Sequence, residues 1–275
     1  MPTATSDFEL TAALDDEIGR AAVVLSAARR PMALTGAGLS VESGIPPFRG
    51  PGGLWTKYGE PPLDGYQRFV ADPAAAWRER LNPTAPWATA LRRTLAAAKP
   101  NAGHRALAEL ERLDRCASVI TQNVDDLHGQ AGTRSLLEIH GNHRLLRCMA
   151  CMQRYAPDEI QVDPTDLPPH CPGCGGIVKG DTVHFGEPIP SDVLRRCYRE
   201  VEQSDCMLLV GTSATVYPAA DFPVEILRRG GSVIEVNADA SEFTAHATLS
   251  LRGPAGMILE RLLQLVIEAS RGKRT

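Results

Sequence analysis

The sequence predicts an α/β protein with a parallel sheet that is covered by helices on both faces. Short apolar segments of strand length alternate with longer amphipathic segments of helix length over most of the chain. Glycine or small polar residues follow most of the apolar segments, as at the ends of strands in open sheets. The alternation stops between His140 and about Glu187, where cysteine, proline, glycine and arginine predominate. We therefore expect one sheet-based domain that carries a small inserted domain.

The first half of the chain contains the first strands of this sheet and a less regular segment. Residues 50–100 contain many prolines and all three tryptophans, which predicts a helical insertion with long loops. An opening helix is indicated by apolar residues at helical spacing: Leu10, Leu14, Ile18, Ala22 and Leu25. The other elements expected before the cysteine-rich segment are a strand at 31–35, a helix at 101–115, and strands at 117–121 and 135–139.

The second half resumes the alternation after the cysteine-rich segment. Helices are expected near 191–203 and 219–229, and an apolar strand follows each of them, at 206–210 and 232–236. A last short strand at 248–251 and a C-terminal helix at 256–269 complete the pattern. No internal repeat interrupts this order.

Length, composition and charge narrow the classes of protein. The chain has 275 residues, of which 43% are hydrophobic and 23% are charged, as in globular proteins with a full core. The net charge of −4 argues against nucleic-acid binding as the main role. No apolar run is long enough to span a membrane, and the acidic N-terminal segment lacks the features of a secretory signal. Four of the seven cysteines form two tight pairs, so we expect a reducing cytoplasm rather than disulfides.

The two cysteine pairs have the spacing of a zinc ribbon. Cys148 and Cys151 form the first pair, and Cys171 and Cys174 form the second. Four thiolates complete a tetrahedral site with no open position, so we expect one structural zinc ion that stabilises a segment too small for its own core. Four buried or oxidised cysteines are the alternative. The remaining cysteines are expected in the core: Cys116, Cys197 and Cys206.

A glycine-rich loop follows the strand 31–35 and predicts an anion site. Gly36, Gly38 and Gly44 allow close approach of a charged ligand, and the helix start beyond them aims N–H groups at a pyrophosphate. The spacing differs from the common G-x-G-x-x-G pattern, and no strand presents an acidic residue about 20 residues later. A dinucleotide would therefore bind differently than in a standard dehydrogenase. An ordinary glycine turn is the alternative.

Polar residues follow several strands of the predicted sheet, where open α/β sheets bind their ligands. His140 is a candidate general base, because imidazole titrates near neutral pH. Structural histidines and ordinary helix caps are the alternatives. The candidate groups are Gln122, Asn123, Val124 and Asp125 after one strand, His140 after the next, Gly211, Thr212 and Ser213 after a third, and Asn237 after a fourth. The histidines expected to be structural are His104, His128, His143, His170 and His246.

Together these residues resemble the sirtuin family of NAD-dependent protein deacylases over about residues 36–255. The resemblance implies a Rossmann-like NAD-binding domain at 1–49, 101–140 and 188–275, a zinc-binding small domain at 141–187 and a helical and loop module at 50–100. It rests on Gly-Ala-Gly-x-Ser at 36–40, Gly-Ile-Pro-x-Phe-Arg at 44–49, Gln-Asn-Val-Asp at 122–125, His-Gly at 140–141, the four cysteines, Phe-Gly-Glu at 185–187, Gly-Thr-Ser at 211–213 and Asn237.

The resemblance also implies roles for individual residues. His140 and Asn123 would be catalytic, and NAD and an acyl-lysine side chain would meet in the cleft between the two domains. NAD would contact Gly36, Ala37, Gly38, Ser40, Phe48, Arg49, Trp55, Gln122, Asn123, Val124, Asp125, Gly211, Thr212, Ser213, Asn237 and Ala255. The acyl-lysine and its peptide would contact Val183, Phe185, Gly186, Glu187 and Val216.

The reaction that the resemblance implies removes an acyl group from a protein lysine with NAD as co-substrate. The acyl oxygen attacks the ribose C1′ as nicotinamide leaves, which gives an alkylamidate. His140 then deprotonates a ribose hydroxyl that attacks this group. After hydrolysis the products would be nicotinamide, free lysine and O-acyl-ADP-ribose. Protein ADP-ribosylation or NAD hydrolysis in the same pocket is the alternative, and an NAD-sensing module without turnover is a further one.

Two positions depart from the family pattern. Pro47 stands where relatives often carry Asp or Thr, and His184 replaces an apolar or aromatic residue before Phe-Gly-Glu. The Tyr-x-x-Arg pair that marks a preference for negatively charged acyl groups has no convincing equivalent in residues 77–93. Acetyl or another uncharged group is therefore the expected acyl group.

Overall fold

A parallel sheet forms the centre of the protein, and a smaller antiparallel sheet lies in the cysteine-rich segment. The computed structural model describes residues 8–272 except Arg49, Pro51 and Pro61. The strands are β1 (Pro31–Thr35), β2 (Val119–Thr121), β3 (Leu136–Glu138), β4 (Leu146–Cys148), β5 (Arg154–Tyr155), β6 (Val178–Gly180), β7 (Cys206–Val210), β8 (Ser232–Asn237) and β9 (Leu249–Arg252). The large sheet has the order β3-β2-β1-β7-β8-β9 with every neighbouring pair parallel, which confirms the predicted fold class.

Helices cover both faces of this sheet. They are α1 (Ala12–Ala27), α2 (Leu54–Tyr58), α3 (Gly65–Ala71), α4 (Pro73–Leu81), α5 (Pro86–Ala97), α6 (Ala102–Arg112), α7 (Leu127–Gln130), α8 (Ser191–Gln203), α9 (Asp221–Arg228) and α10 (Ala255–Gly272). Within the described part of the chain, no helix combines the length and the apolar character needed to cross a bilayer.

Alternation of side chains along β7 shows how the sheet separates two cores. Leu208 and Val210 join the core beneath α1, α6 and α10. Met207 and Leu209 point to the opposite face and join the core beneath α8 and α9. The three cysteines outside the zinc-ribbon pairs are buried in these two cores, as predicted: Cys116, Cys197 and Cys206.

Two predicted helices begin or end differently in the structure. The loop after β1 continues as a 3-10 helix, Ala37–Ser43, which Gly44 ends with a φ of 85°. A left-handed residue at that position stops helical hydrogen bonding, and glycine adopts it without strain. The helix predicted at 101–115 is α6, which begins after Asn101. The Asn101 side chain accepts hydrogen bonds from the N–H groups of Gly103 and His104 and so caps the helix.

The helical insertion and the cysteine-rich segment share one small core. The antiparallel sheet has the order β5-β4-β6. Trp77 of α4 is buried against it, and the Trp77 indole Nε1 donates to the Val178 carbonyl oxygen at 2.7 Å. The buried members of this core are Trp77, Leu146, Cys148, Ile160, Cys171 and Val178. A group this small stabilises little by burial alone, so further cross-links are needed.

Candidate functional site

The loops that carry the predicted ligand-binding residues meet at the carboxyl edge of the large sheet. The strands β3, β2, β1, β7 and β8 are consecutive neighbours in the sheet order. The glycine loop follows β1, residues 122–125 follow β2, and His140 lies just beyond β3. Residues 211–213 follow β7, and Asn237 ends β8. The sheet order therefore brings these groups into one crevice.

Close packing between the glycine loop and the loop after β7 explains why residues 36 and 38 are glycines. A Cβ atom on Gly36 would lie 2.8 Å from the Gly211 carbonyl oxygen, and one on Gly38 would lie 2.7 Å from the Gly211 Cα. The Gly36 N–H donates to the Val210 carbonyl at 2.9 Å, and the Gly38 N–H donates to the Gly211 carbonyl at 2.7 Å. These two N–H groups therefore hold the glycine loop against the end of β7 and Gly211. The Ala37 N–H has no hydrogen-bond partner among the described residues and can donate to an anion.

Ser40, Asn123 and Asp125 form a buried hydrogen-bonded group behind the glycine loop. The Ser40 Oγ donates to Asp125 Oδ2 at 2.6 Å. The Asn123 Nδ2 donates to the Gly36 carbonyl and to the Ser40 Oγ, both at 3.0 Å. Burial raises the pKa of Asp125, which also accepts the Leu127 N–H. Asn123 Oδ1 accepts no hydrogen bond from the described residues, so this oxygen is free for a ligand.

Gln122, Thr212 and Asn237 are also linked by hydrogen bonds. The Gln122 Nε2 donates to Thr212 Oγ1 at 2.8 Å. The Asn237 Nδ2 donates to the Thr212 carbonyl at 3.0 Å and to Glu235 Oε1 at 3.1 Å. Because these bonds use the amino group of Asn237, its Oδ1 is left as an acceptor for a hydroxyl group.

The His140 imidazole has a defined tautomer. Its Nδ1 lies 3.1 Å from the Gln122 carbonyl oxygen, which can only accept, so Nδ1 carries the hydrogen. Nε2 has no partner among the described residues and is the basic nitrogen of the neutral ring. Burial lowers the pKa of His140, and the bond to the Gln122 carbonyl raises it by less. The ring is therefore neutral at pH 7 and can accept a proton at Nε2.

The chain turns sharply after His140 and packs against Asp181. Gly141 has a φ of 79°, and a Cβ atom there would collide with the Asp181 carbonyl oxygen. The Asn142 N–H donates to Asp181 Oδ2 at 2.8 Å. The Val183 N–H donates to the His140 carbonyl oxygen at 2.9 Å. The segment predicted to contact the substrate, 183–187, therefore begins directly beside the candidate base.

Three aromatic rings connect the loop after β1 with this segment. The rings of Phe48 and Trp55 are 5.2 Å apart, and those of Trp55 and Phe185 are 5.8 Å apart. Phe48 and Phe185 remain partly exposed to solvent. Arg49, predicted to contact NAD, lies outside the described residues. The aromatic row therefore links the loop after β1 to the predicted peptide-binding segment.

The remaining predicted contacts lie around the same crevice. Val124 follows β2 beside Asn123, and Ala255 is the first residue of α10. The Ser213 Oγ bonds the Thr215 Oγ1 at 2.8 Å, and Val216 follows in the same loop.

The four paired cysteines form a compact thiolate cluster. Their sulfur atoms all lie within 4.8 Å of one another, with Cys148 and Cys174 3.5 Å apart and Cys151 and Cys171 3.8 Å apart. Sulfurs about 2.3 Å from a zinc ion at the centre of a tetrahedron are separated by about 3.8 Å. A Cβ atom on Gly176 would lie 2.6 Å from the Ala150 Cβ and 3.1 Å from the Cys148 sulfur, so a larger residue there would push against the first cysteine pair. The residues fit one structural zinc ion.

Sequence reasoning did not find several residues that support the site. Glu42 Oε1 accepts the Gly256 N–H at 2.7 Å and so ties the start of α10 to the 3-10 helix of the glycine loop. Asp181 and Trp77 were also missed. Their partners are remote in the chain, and no local pattern predicts such contacts. For Glu42, an acidic residue inside the glycine-loop motif was the available signal.

Comparisons with known proteins find similarity over most of the chain. Residues 36–218 match the sequence profile of the Sir2 family. NAD-dependent protein deacylase 1 of Archaeoglobus fulgidus is 43% identical over 239 residues, which cover 86% of this chain and 93% of that protein. The NAD-dependent protein deacylase of Thermococcus kodakarensis is 43% identical over 254 residues, covering 90% and 95%. A crystal structure of a Sir2 homolog with NAD superposes with a TM-score of 0.76 at 41% identity, covering 91% and 94% of the two chains. A Sir2 structure with a deacetylated p53 peptide and 3′-O-acetyl ADP-ribose gives a TM-score of 0.73 at 31% identity, covering 90% and 97%.

Proposed function

The chain belongs to the Sir2 family and is an NAD-dependent protein deacylase, and from this premise we propose that it deacetylates lysine side chains with His140 as general base. The products are nicotinamide, free lysine and O-acetyl-ADP-ribose. Asn123 is the second catalytic residue, through its free Oδ1. Acetyl is the acyl group of this proposal, because the sequence carries no convincing pair for an acidic acyl chain.

The tautomer of His140 is the observation that carries the proposal. The Gln122 carbonyl oxygen holds the hydrogen on Nδ1, and burial lowers the pKa of the ring. Nε2 is thus unprotonated at neutral pH and faces no competing donor among the described residues. A neutral imidazole in this state takes a proton from a ribose hydroxyl, which makes the hydroxyl oxygen a nucleophile.

The crevice also fits the dinucleotide. NAD supplies an electrophilic ribose carbon, from which nicotinamide departs. Acceptor oxygens on Asn123 and Asn237 suit ribose hydroxyls, and the Ala37 N–H suits a phosphate. The aromatic row of Phe48, Trp55 and Phe185 restricts access of water to the reacting centre.

Residues 183–187 provide the peptide-binding segment in this proposal. Gly186 is exposed, and neither its N–H nor its carbonyl has a partner among the described residues. The Glu187 N–H is already bonded to the His184 carbonyl at 3.0 Å, so strand pairing with a peptide depends mainly on Gly186. Val183, Phe185 and Val216 line the channel for the lysine stem.

The proposal extends to domains and compartment. The NAD-binding domain comprises 1–49, 101–140 and 188–275, and the segments 50–100 and 141–187 form the other side of the cleft. The core that Trp77 shares with the cysteine-rich segment supports this division. None of the seven cysteines, which all lie within the described residues, forms a disulfide, and this supports a reducing cytoplasm.

The reaction products test the function. The protein is incubated with NAD and an acetyl-lysine peptide, and mass spectrometry follows the peptide and the nucleotide. Peptide that loses its acetyl group together with stoichiometric O-acetyl-ADP-ribose is the expected result. A peptide that gains ADP-ribose, or free ADP-ribose formed without peptide, would contradict the proposal and favour transfer or hydrolysis. A panel of longer and acidic acyl groups then tests the preference for acetyl.

The lowered pKa of His140 predicts the pH dependence of turnover. The neutral ring is the active form, so kcat/KM should be constant near pH 7. It should fall about tenfold per pH unit once the pH drops below the His140 pKa, which lies under 6.5. A pH series of initial rates at subsaturating peptide measures this limb. An acid limb with its midpoint above 6.5 would contradict the assignment.

Acid unfolding must be separated from this titration. Burial lowers the pKa of His104 to about 4 and that of His128 well below 6.5. Because the unfolded chain binds protons that these buried rings exclude, stability falls as the pH decreases from about 6.5 toward 4. Rates are therefore compared only at pH values where the melting temperature is high and activity returns after readjustment to pH 7.

A further inference from the structure

Three cations form a row across the small antiparallel sheet. The strand register places Arg147 of β4 opposite Arg154 of β5 on one side and opposite Lys179 of β6 on the other. Directly opposite residues project from the same face of a sheet, and like charges there are destabilising. We call these three residues the cation row. Their positive charges require carboxylates on the same face of the small sheet.

Each cation of the row is neutralised by at least one carboxylate. Asp181 is fully buried and is bound by both arginines. Within the described part of the chain, Glu187 forms an ion pair with Lys179 alone, and its side chain is 7% exposed. The negative charge of Glu187 thus balances the positive charge of Lys179. The ion pairs are Arg147–Asp181, Arg154–Asp181, Arg154–Glu138 and Lys179–Glu187.

The Lys179 ammonium group is buried and fully bonded. The side chain is 1% exposed, and Nζ lies 3.1 Å from Glu187 Oε2. Nζ also donates to the Gly180 carbonyl at 2.9 Å and to the Thr182 carbonyl at 2.6 Å. Three acceptors match the three ammonium hydrogens, which is the condition for a stable buried lysine. Two of these acceptors belong to the segment that leads to the peptide-binding residues.

Glu187 transmits this anchoring to the turn that presents Gly186. Its Oε2 accepts the His184 N–H at 2.8 Å, while its own N–H donates to the His184 carbonyl at 3.0 Å. Both bonds close the turn 184–187. Gly186, with a φ of 79°, is left exposed at its tip.

We propose that Lys179 is a positioning residue that fixes residues 182–187 through Thr182 and Glu187 and thereby sets the affinity for the acyl-lysine peptide. This inference rests on the proposed function, in which residues 183–187 bind the peptide. Lys179 itself touches neither peptide nor NAD. Its hydrogen bonds do not reach the loop after β1 or residues 122–125, and the segment meets that loop through the Phe185–Trp55 ring contact, so affinity for NAD should change much less than affinity for the peptide.

Steady-state kinetics of the zinc-loaded, full-length protein tests this separation. In Lys179→Met, we expect the KM for an acetyl-lysine peptide to rise at least about tenfold, because charge-assisted hydrogen bonds that order the segment are lost. The KM for NAD and the affinity for ADP-ribose should remain close to wild type. Glu187→Gln should raise the peptide KM in the same way. The double variant should add little to either single change, since both remove one interaction.

Lys179→Arg is the conservative control. It keeps the positive charge, and a cavity of ≈ 90 Å³ beside Lys179 offers space for the larger group. This variant should retain the peptide KM within about threefold of wild type. Three results would each overturn the proposal. They are equal increases of both KM values in Lys179→Met, additive effects in the double variant, and an unchanged peptide KM in Lys179→Met.

Hydrogen exchange gives a readout that does not depend on turnover. In Glu187→Gln and in Lys179→Met, the amides of His184 and Glu187 should exchange faster, while amides of β7 keep their protection. Uniform exchange across the chain would show unfolding and overturn a local positioning role. If the wild type forms no O-acetyl-ADP-ribose, the deacetylase proposal fails, yet the exchange experiment still decides whether Lys179 orders the segment.

Discussion

The His140→Ala variant is expected to lose formation of O-acetyl-ADP-ribose and still bind NAD. The imidazole makes no hydrogen bond to the Asn123 or Asn237 side chains, so removing it leaves the groups proposed to hold the dinucleotide in place. What disappears is the proton acceptor at Nε2. Loss of one general base reduces rates by about 10²–10⁴-fold. Product formation measured by mass spectrometry, and ADP-ribose affinity measured by calorimetry, give the two quantities.

His143→Ala is the matched control for this substitution. His143 lies three positions away, and its Nδ1 also bonds a backbone carbonyl, that of Val124, at 2.8 Å. It therefore reports the cost of removing a half-buried ring from this turn without removing the proposed base. Most of the turnover should remain in this variant.

The exchange of labelled nicotinamide into NAD in the presence of acetylated peptide adds a diagnostic step. The base is needed only after nicotinamide has left, so His140→Ala should keep this exchange. Wild-type rates of product formation in His140→Ala, or an equal loss in His143→Ala, would refute the role of His140.

The second large effect is expected for Cys171→Ser, which should release the zinc ion and unfold the cysteine-rich segment. The core around β4 and β6 is small, and Cys148 and Cys171 are themselves part of it. Metal binding then supplies much of the folding free energy, on the order of 10 kcal/mol in small zinc domains. Unfolding of this segment would also disrupt the small sheet that carries the cation row, and with it the peptide-binding residues. Peptide-dependent turnover should therefore disappear as well. Zinc content by elemental analysis and the melting curve measure both effects.

Cys197→Ala serves as the control for loss of a buried thiol. Cys197 lies on α8 and belongs to a different core from that of the thiolate cluster, so the Cys197→Ala protein should keep one zinc ion per chain. Removal of zinc from the wild type with a chelator should reproduce the Cys171→Ser phenotype. A Cys171→Ser protein with one zinc ion and an unchanged melting curve would argue against the four-thiolate site.

Elements with a strong local signal agree with the structure to the residue. The predicted strand 206–210 is β7, because it is a continuous apolar run in the middle of the sheet. The predicted helix 191–203 is α8. The helix at 101–115 was too long by a few residues at its end. The 3-10 conformation of residues 37–43 was not predicted, because it depends on how closely the glycine loop packs against Gly211.

The candidate site likewise contains features that the sequence predicted and features that it did not. Cysteine spacing indicated the metal cluster, since thiolates in tight pairs have few other uses, and residue type together with the family resemblance indicated the candidate base His140. No pattern in the sequence indicated a second reason for Gly36 and Gly38. The structure adds that these glycines let their loop pack against Val210 and Gly211, to which their N–H groups donate.

Local chemistry in the chain is enough to indicate a parallel sheet, a zinc site and a histidine that can accept a proton. These features depend on neighbours a few residues apart, through periodicity, turn residues and metal-ligand spacing. The fixed tautomer of His140, the burial of Lys179 against Glu187 and the insertion of Trp77 beneath the cysteine-rich segment depend on contacts between distant parts of the chain. Tertiary packing alone sets these, because burial and hydrogen-bond partners exist only once the remote segments meet.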